Sequence, residues 1–339
     1  MRTLMLFDLS ESPPPDQCAE AYAEDMKAEE WESEAGVFSA LRAAGHEVRL
    51  FGVYDDFHIL LDEIRLNRPD VVFNLAEAFA GDRARETNVA SLLELLGLPF
   101  TGADSKALQL CKDKALASVL VAHAGVRVPR FEVSTVAQPL SASKLRELGY
   151  PAFVKPAALE SSTGISQDSF VENEREAAAR IRFVHDRLNE DAVIAEYIEG
   201  RELYVSVLGN WDGGRLEVFP TRELFFAEVP EGDPKIATFK AKWDDAYRKK
   251  WGIKNGFARG LSAELEDRLA DTGRRIFRAL QIRGYARIDL RLTPADELVF
   301  LEANPNPSIA RDDDFAQAAL KSGLTYEKLI ARIIKLSEA

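Results

Sequence analysis

Apolar positions follow two rhythms along this chain. Thr3–Phe7 is a short apolar run cut off by Asp8, the length of a buried strand. Within Ser33–Ala44, Val37, Phe38, Leu41 and Ala44 recur at helical spacing, and Gly45 stands where a left-handed residue ends a helix. Glu47–Phe51 predicts a second strand and Phe57–Asn67 a helix with Pro69 after it. Asp70–Asn74 predicts a third, buried strand, and helix Thr87–Leu96 leads through Gly97 and Pro99 to Phe100-Thr101-Gly102. Strand and helix in strict alternation predict an open parallel sheet.

From Ser105 the pattern changes. One helix is expected over Ser105–Ala124, then strands at Arg130–Val133, Ala152–Lys155, Ser169–Val171 and Ala192–Tyr197, with a helix at Ala177–Leu188. Beyond Gly200, strands are expected at Leu203–Gly209, Arg215–Phe219, Tyr285–Arg291 and Val299–Asn304. Helices are expected at Ser262–Leu280, Asp314–Ser322 and Tyr326–Lys335. The charged, Lys-rich stretch Pro230–Gly256 reads as a long loop, and long loops in compact enzymes are often lids. These breaks divide the chain into 1–104, 105–199 and 200–339, in keeping with two or three domains for 339 residues.

Composition narrows the function. Lys and Arg number 43 against 56 Asp and Glu, a net charge of −13 that excludes a general binder of nucleic acid or acidic membrane. Two cysteines, Cys18 and Cys111, exclude a disulfide framework and point to a reducing, cytoplasmic compartment. The four histidines show no zinc spacing. No apolar run approaches the length of a membrane span.

Three stretches carry chemistry. In Tyr285–Arg291, Arg287 and Asp289 share one strand face; in Val299–Asn304, Glu302 and Asn304 do. A hairpin through Thr293–Asp296 would bring them together as an oxygen-rich site suited to Mg²⁺, with a rigid Asn304-Pro305-Asn306-Pro307 turn behind it; the bland reading is a solvated hairpin. Lys155 ends an apolar strand, where its charge needs a partner such as phosphate, and the hydroxyl-rich loop Leu159–Ser166 follows it. That loop taken alone is ordinarily just a turn. Val193–Glu202 is an apolar strand breaking into a charged link. There Glu196 suits the amino edge of adenine and Glu202 the ribose hydroxyls, unless the link is simply solvated surface.

Taken in order, these elements resemble the ATP-grasp superfamily and, within it, the D-alanine–D-alanine ligases. The resemblance runs from Asp70–Asn74 and Leu92–Gly102 through Asp113–Leu116, Val154-Lys155-Pro156, Ser161–Gly164, Glu199–Glu202 and Ala241-Lys242-Trp243 to Gly284–Asp289 and Leu301–Pro307. It implies an α/β fold: an N-terminal open parallel sheet followed by a two-part ATP-grasp module. It implies ATP as substrate, two Mg²⁺ ions (with Mn²⁺ as an alternative), a small-molecule carboxylate and amine, and a homodimer as one assembly. Nucleotide contacts carry over to Lys114, Lys155, Ser161, Ser162, Thr163, Glu196, Tyr197, Ile198, Glu202, Lys242 and Leu301. Metal ligation carries over to Asp289, Glu302 and Asn304, and catalysis to Arg287, Lys242 and Ser162.

The substrate loops depart from the family. Asn74–Arg83 replaces a glycine-rich stretch with bulk and charge, Glu160 stands for the usual glycine of the phosphate loop, and the family's N-terminal glutamate cannot be picked from the carboxylates of Glu24–Glu34. Where a serine usually binds the acceptor carboxylate, the chain reads Ser308-Ile309-Ala310-Arg311-Asp312-Asp313-Asp314. Arg311 suits a carboxylate there, while the aspartates favour a cation or cap the next helix. The expectation is a ligase other than a housekeeping D-alanine–D-alanine ligase. The alternatives are such a ligase proper, an amino-acid or peptide ligase of secondary metabolism, and a non-catalytic ATP-binding regulator. A dinucleotide-dependent oxidoreductase lacks its Gly-x-Gly-x-x-Gly.

Overall fold

The computed structural model describes residues 1–159, 162–230 and 232–338. In chain order its strands are β1 (Arg2–Asp8), β2 (Glu47–Val53), β3 (Val71–Asn74), β4 (Phe131–Ser134), β5 (Ala152–Pro156), β6 (Phe170–Val171) and β7 (Ala192–Glu196). There follow β8 (Arg201–Leu208), β9 (Glu217–Val218), β10 (Arg222–Phe226), β11 (Ile253–Phe257), β12 (Tyr285–Leu292) and β13 (Leu298–Pro305). The helices are α1 (Glu32–Ala43), α2 (His58–Leu66), α3 (Glu86–Leu95), α4 (Ser105–Lys112), α5 (Lys114–His123) and α6 (Ala142–Glu147). The rest are α7 (Glu174–Leu188), α8 (Phe239–Trp243), α9 (Asp245–Lys250), α10 (Ala263–Ala279), α11 (Asp314–Lys321) and α12 (Tyr326–Leu336).

The first sheet is parallel, in the order β2-β1-β3. Its central strand is apolar on both faces because both are covered. Leu4 and Leu6 enter a core with Leu60, Ile64 and Val89, while Met5 and Phe7 enter one with Val37, Leu41, Tyr326 and Ile330. The second core therefore ties the N-terminal sheet to the last two helices. Two antiparallel sheets follow: β4-β7-β5-β6, backed by α6 and α7, and β11-β10-β8-β12-β13, with β9 paired to β8. The chain is thus a mixed α/β fold of one parallel and two antiparallel sheets.

Three expectations change. The helix expected over Ser105–Ala124 is two helices, because Asp113 is extended (ψ 93°) and its side chain accepts the amides of Ala115 and Leu116, capping α5. Residues of both helices, Leu108, Cys111, Ala117 and Val121, lie in the core of the larger antiparallel sheet. The stretch Pro230–Gly256 is not one long loop. Thr238 and Asp244 cap two short helices, β11 runs antiparallel to β10, and Ala241 and Ile253 pack with Tyr204 and Leu224 against that sheet. The strand expected at Arg215–Phe219 is confined to Glu217–Val218, and the next strand, Arg222–Phe226, was not expected.

Candidate active site

The site is built on one face of the larger antiparallel sheet. On β12, Arg287, Asp289 and Arg291 alternate; β8 places Ser206, Tyr204 and Glu202 opposite them, and β13 places Asn304 opposite Arg287 and Glu302 opposite Asp289. The register of β12 with β13 slips by one after Asp289: Leu290 faces Phe300, so Leu301 is an extra residue. Such a bulge takes a residue out of the ladder. The Leu301 carbonyl accepts the Lys155 ammonium at 3.3 Å.

Between the two antiparallel sheets lies a cleft of about 110 Å³. Lys114, Lys155, Ser162, Glu196, Tyr197, Ile198, Glu202, Lys242, Asp289, Leu301 and Glu302 all line it, with Phe131, Phe153, Val193 and Ile236 as apolar walls. Thr163 is exposed and not among the lining residues. Ser161 and Glu160 lie outside the described residues. Ser162 adopts a positive φ of 59° and donates its hydroxyl to the Ala237 carbonyl at 2.9 Å, joining the loop after β5 to the segment before α8. Lys114, first residue of α5, is brought into the cleft by the break at Asp113 and reaches the Leu159 carbonyl at 2.5 Å. Glu202 is buried and doubly engaged, accepting from Arg291 at 2.9 Å and from the Tyr204 hydroxyl at 3.0 Å. Arg291 was missed by the sequence reading, although it continues the alternation of Arg287 and Asp289. Glu196 meets the Arg130 amide at 3.3 Å and Arg127 at 3.5 Å.

The electrostatics are those of an anion cradle with an acidic floor. Burial depresses Lys155 to about 8. Burial works against the Glu302 carboxylate, but Lys242, Lys114, Lys155 and Arg287 together hold it down at about 2. Asp289 goes the other way: burial raises it to about 6 although Arg287 grips it at 2.8 and 3.0 Å. Burial also opposes the charge on Arg287, and Asp289 more than compensates, so the guanidinium stays charged above the ring of Tyr204. Two facing carboxylates, Asp289 buried and Glu302 half-buried, and a neighbouring amide are hard oxygen donors that fit a divalent cation sharing phosphate ligands. The buried Asn304 Nδ2 has no hydrogen-bond partner, which leaves that amide available for orientation in the site. Among the described residues no cluster of three His, Cys, Asp or Glu forms a metal site by itself.

Arg287 and Asn304 line a second, larger cleft with Trp243, Asn255 and Asp312–Asp314, and Lys242 borders both clefts. Arg311 does not serve this cleft as expected: it stacks over Tyr326 at 4.6 Å and pairs with Glu327 at 3.5 Å. Asp313 occupies the N-cap position of α11 without a side-chain cap bond, and Asp314 in the first turn is tied to Arg222 at 2.9 Å. A third cleft adjoins the second through Glu77, Glu86 and Asn306–Ser308, and Asp8, Glu30 and Glu34 line it too. Of the carboxylates of Glu24–Glu34 that the sequence left undecided, Glu30 and Glu34 line this cleft. Burial, and then the charges of Glu77 and Asp8, push Glu34 up to about 7.

Comparison with known proteins points to one family. A family model described as D-ala D-ala ligase C-terminus matches residues 120–335. An uncharacterized protein, y4sG, of Sinorhizobium fredii is 30% identical over 312 residues, covering 89% of this chain and 86% of its own length. The D-alanine–D-alanine ligase B of Chromobacterium violaceum is 29% identical over 306 residues, covering 89% and 90%. The crystal structure of D-alanine–D-alanine ligase from Bacillus anthracis complexed with ATP superposes with a TM-score of 0.74 at 20% identity, covering 100% of this chain and 97% of that one, a likeness of fold.

Proposed function

This chain belongs to the D-alanine–D-alanine ligase family of ATP-grasp enzymes, ligases that form amide bonds, and on that premise we propose that it activates a small carboxylate as an acyl phosphate and passes the acyl group to an amine. The observation that carries this reading is the convergence of three ammonium groups, Lys114, Lys155 and Lys242, on the cleft that holds Asp289 and Glu302, with Arg287 in the adjoining one.

The chemistry follows from charge. A carboxylate is a poor electrophile. When its oxygen bonds to the γ-phosphorus of ATP and the bond to the β-phosphate oxygen breaks, ADP leaves and the carboxylate becomes an acyl phosphate. Lys114 and Lys155 hold the phosphates, and Lys242, at the border of the two clefts, follows the transferring group. The apolar walls take adenine, with Glu196 and the Tyr197–Ile198 backbone at its edge and Glu202 toward the ribose. Asp289, Glu302 and Asn304 would hold Mg²⁺ or Mn²⁺, two ions by family resemblance, which offset charge on the phosphates. The amine then attacks the acyl carbon, phosphate departs with its bonding electrons, and Arg287 donates to the oxyanion that forms.

The substrates differ from two D-alanines in this reading. Arg311 is turned away from the acceptor side, aspartates stand there, and the loop after β3 bears Glu77 paired with Arg83. The test is phosphate release from ATP and Mg²⁺ over a panel of amino acids, with products identified by mass spectrometry. Release dependent on both a carboxylate and an amine is expected. Efficient formation of D-alanyl-D-alanine would overturn the specificity part, and no release with any pair would overturn the ligase assignment.

A further inference from the structure

Lys242 sits on a helix too short to hold itself. α8 has five residues, and isolated helices of that length are unstable in water. Its carbonyl at Ala241, the residue before Lys242, is one of the acceptors that a helix end leaves without an internal partner. Arg248 of α9 donates to that carbonyl at 2.6 Å with Nη1, and with Nη2 it donates to Asn255 Oδ1 on β11 at 3.0 Å. Asn255 Nδ2 donates in turn to Asp314 Oδ2 at 2.6 Å, and Arg222 Nε donates to Asp314 Oδ1 at 2.9 Å. Arg222 and Asp314 are both buried, at 8% and 9% side-chain exposure.

The polarity of this chain leaves little freedom. A guanidinium only donates and a carboxylate only accepts, so the group between them must accept on one side and donate on the other. A short amide does both. An aspartate at 255 would set two carboxylates face to face, and an aliphatic residue would cut the chain. The far end, Asp314, begins α11, beside Asp312 and Asp313 on the wall of the second cleft.

We propose that Arg248 and Asn255 are positioning residues that hold α8 against α11, so that the wall of the second cleft fixes where Lys242 stands over the nucleotide cleft. The inference rests on the reading above of Lys242 as the lysine of the transferring phosphate. It makes the link between the second cleft and the nucleotide cleft a run of three hydrogen bonds, Arg248 to Ala241, Arg248 to Asn255 and Asn255 to Asp314, anchored by Arg222.

The test is titration of the intact protein, with Mg²⁺ present, by ADP and by the β,γ-imido analogue of ATP, whose extra phosphate reports on Lys242. The wild type is expected to prefer the triphosphate, and Lys242→Ala to lose that preference. Asn255→Leu is expected to weaken the analogue by about tenfold while ADP stays within about twofold, and the double variant to be no weaker than Lys242→Ala alone. Arg248→Met, on a partly exposed helix, repeats the test should Asn255→Leu fold poorly. A preference intact in both relay variants, or effects that simply add to Lys242→Ala, would overturn the proposal alone. A wild type without any preference would overturn the nucleotide reading and the relay with it.

Discussion

Arg287 holds Asp289, two residues along the same strand, by two hydrogen bonds of 2.8 and 3.0 Å. The pair joins the guanidinium proposed for the oxyanion to a carboxylate proposed for the cation. A divalent cation held by Asp289 would compete with Arg287 for the same carboxylate oxygens. Both side chains need the fork geometry of arginine, which lysine lacks. Arg287→Lys is expected to lower kcat by about 10²–10³-fold while ATP affinity changes little, measured by steady-state phosphate release beside nucleotide titration. Equal losses in both would remove Arg287 from the acyl step.

Lys155 gives a pH dependence with a definite sign. Its ammonium is depressed to about 8 in the folded protein against 10.5 in a free chain. Phosphate binds the charged form, so nucleotide affinity is expected to fall as pH rises past about 8, and binding there takes up a proton. Folding has the opposite slope. Between about 8 and 10.5 the unfolded chain holds the proton and the folded one does not, so this group's contribution to stability rises with pH. Lys155→Arg, always charged, should flatten the affinity profile between pH 7.5 and 9.5 in calorimetric titrations.

Glu34 predicts a pH-dependent gain in stability. Its carboxyl is raised from 4.5 to about 7 by burial and by Glu77 and Asp8. Between those values the folded state binds the proton that the unfolded state has lost, so stability falls as pH rises through that window. Glu34→Gln removes the titration. Its Tm should match the wild type near pH 4.5 and exceed it near pH 8; a gain that is the same at both would contradict the assignment.

The N-terminal unit meets the larger antiparallel sheet where two backbones nearly touch. Gly284 has a φ of +74°, and a Cβ added to it would lie 2.8 Å from the Gly102 Cα, with the Ala103 amide bonded to Asn306 Oδ1 at 2.8 Å alongside. Gly284→Val is expected to cost about 2–4 kcal/mol in chemical denaturation, through left-handed strain and overlap together. A loss under about 1 kcal/mol would mean that the junction yields.

Much of this was legible in the chain itself. The parallel sheet could be read because strand and helix alternate strictly over the first hundred residues. Arg287, Asp289, Glu302 and Asn304 could be grouped because alternation puts each pair on one face. What escaped was one local cap and several tertiary contacts. Asp113 breaks a helix by giving its side chain to the next turn, which the apolar spacing on either side conceals. Charge-rich 230–256 reads as a long loop, yet Ala241, Ile253 and Trp251 pack with Tyr204 and Leu224 against the sheet. The turning of Arg311 onto Tyr326, and the meeting of Arg222 with Asp314 from 92 positions away, have no local signal. Arg291 was visible and passed over.

Leu301 teaches something about length. Leu298, Phe300 and Ala303 point to the core, and Glu302 and Asn304 to the opposite face. Removing Leu301 would restore perfect alternation, so a chain shorter by one residue keeps every neighbour facing correctly. What it forfeits is a carbonyl no longer claimed by the adjoining strand. The ammonium of Lys155 would then lose its resting place in a protein that otherwise folds as before. At this spot the loss of one residue is expected to spare the facing of the sheet and to weaken the proposed hold on nucleotide.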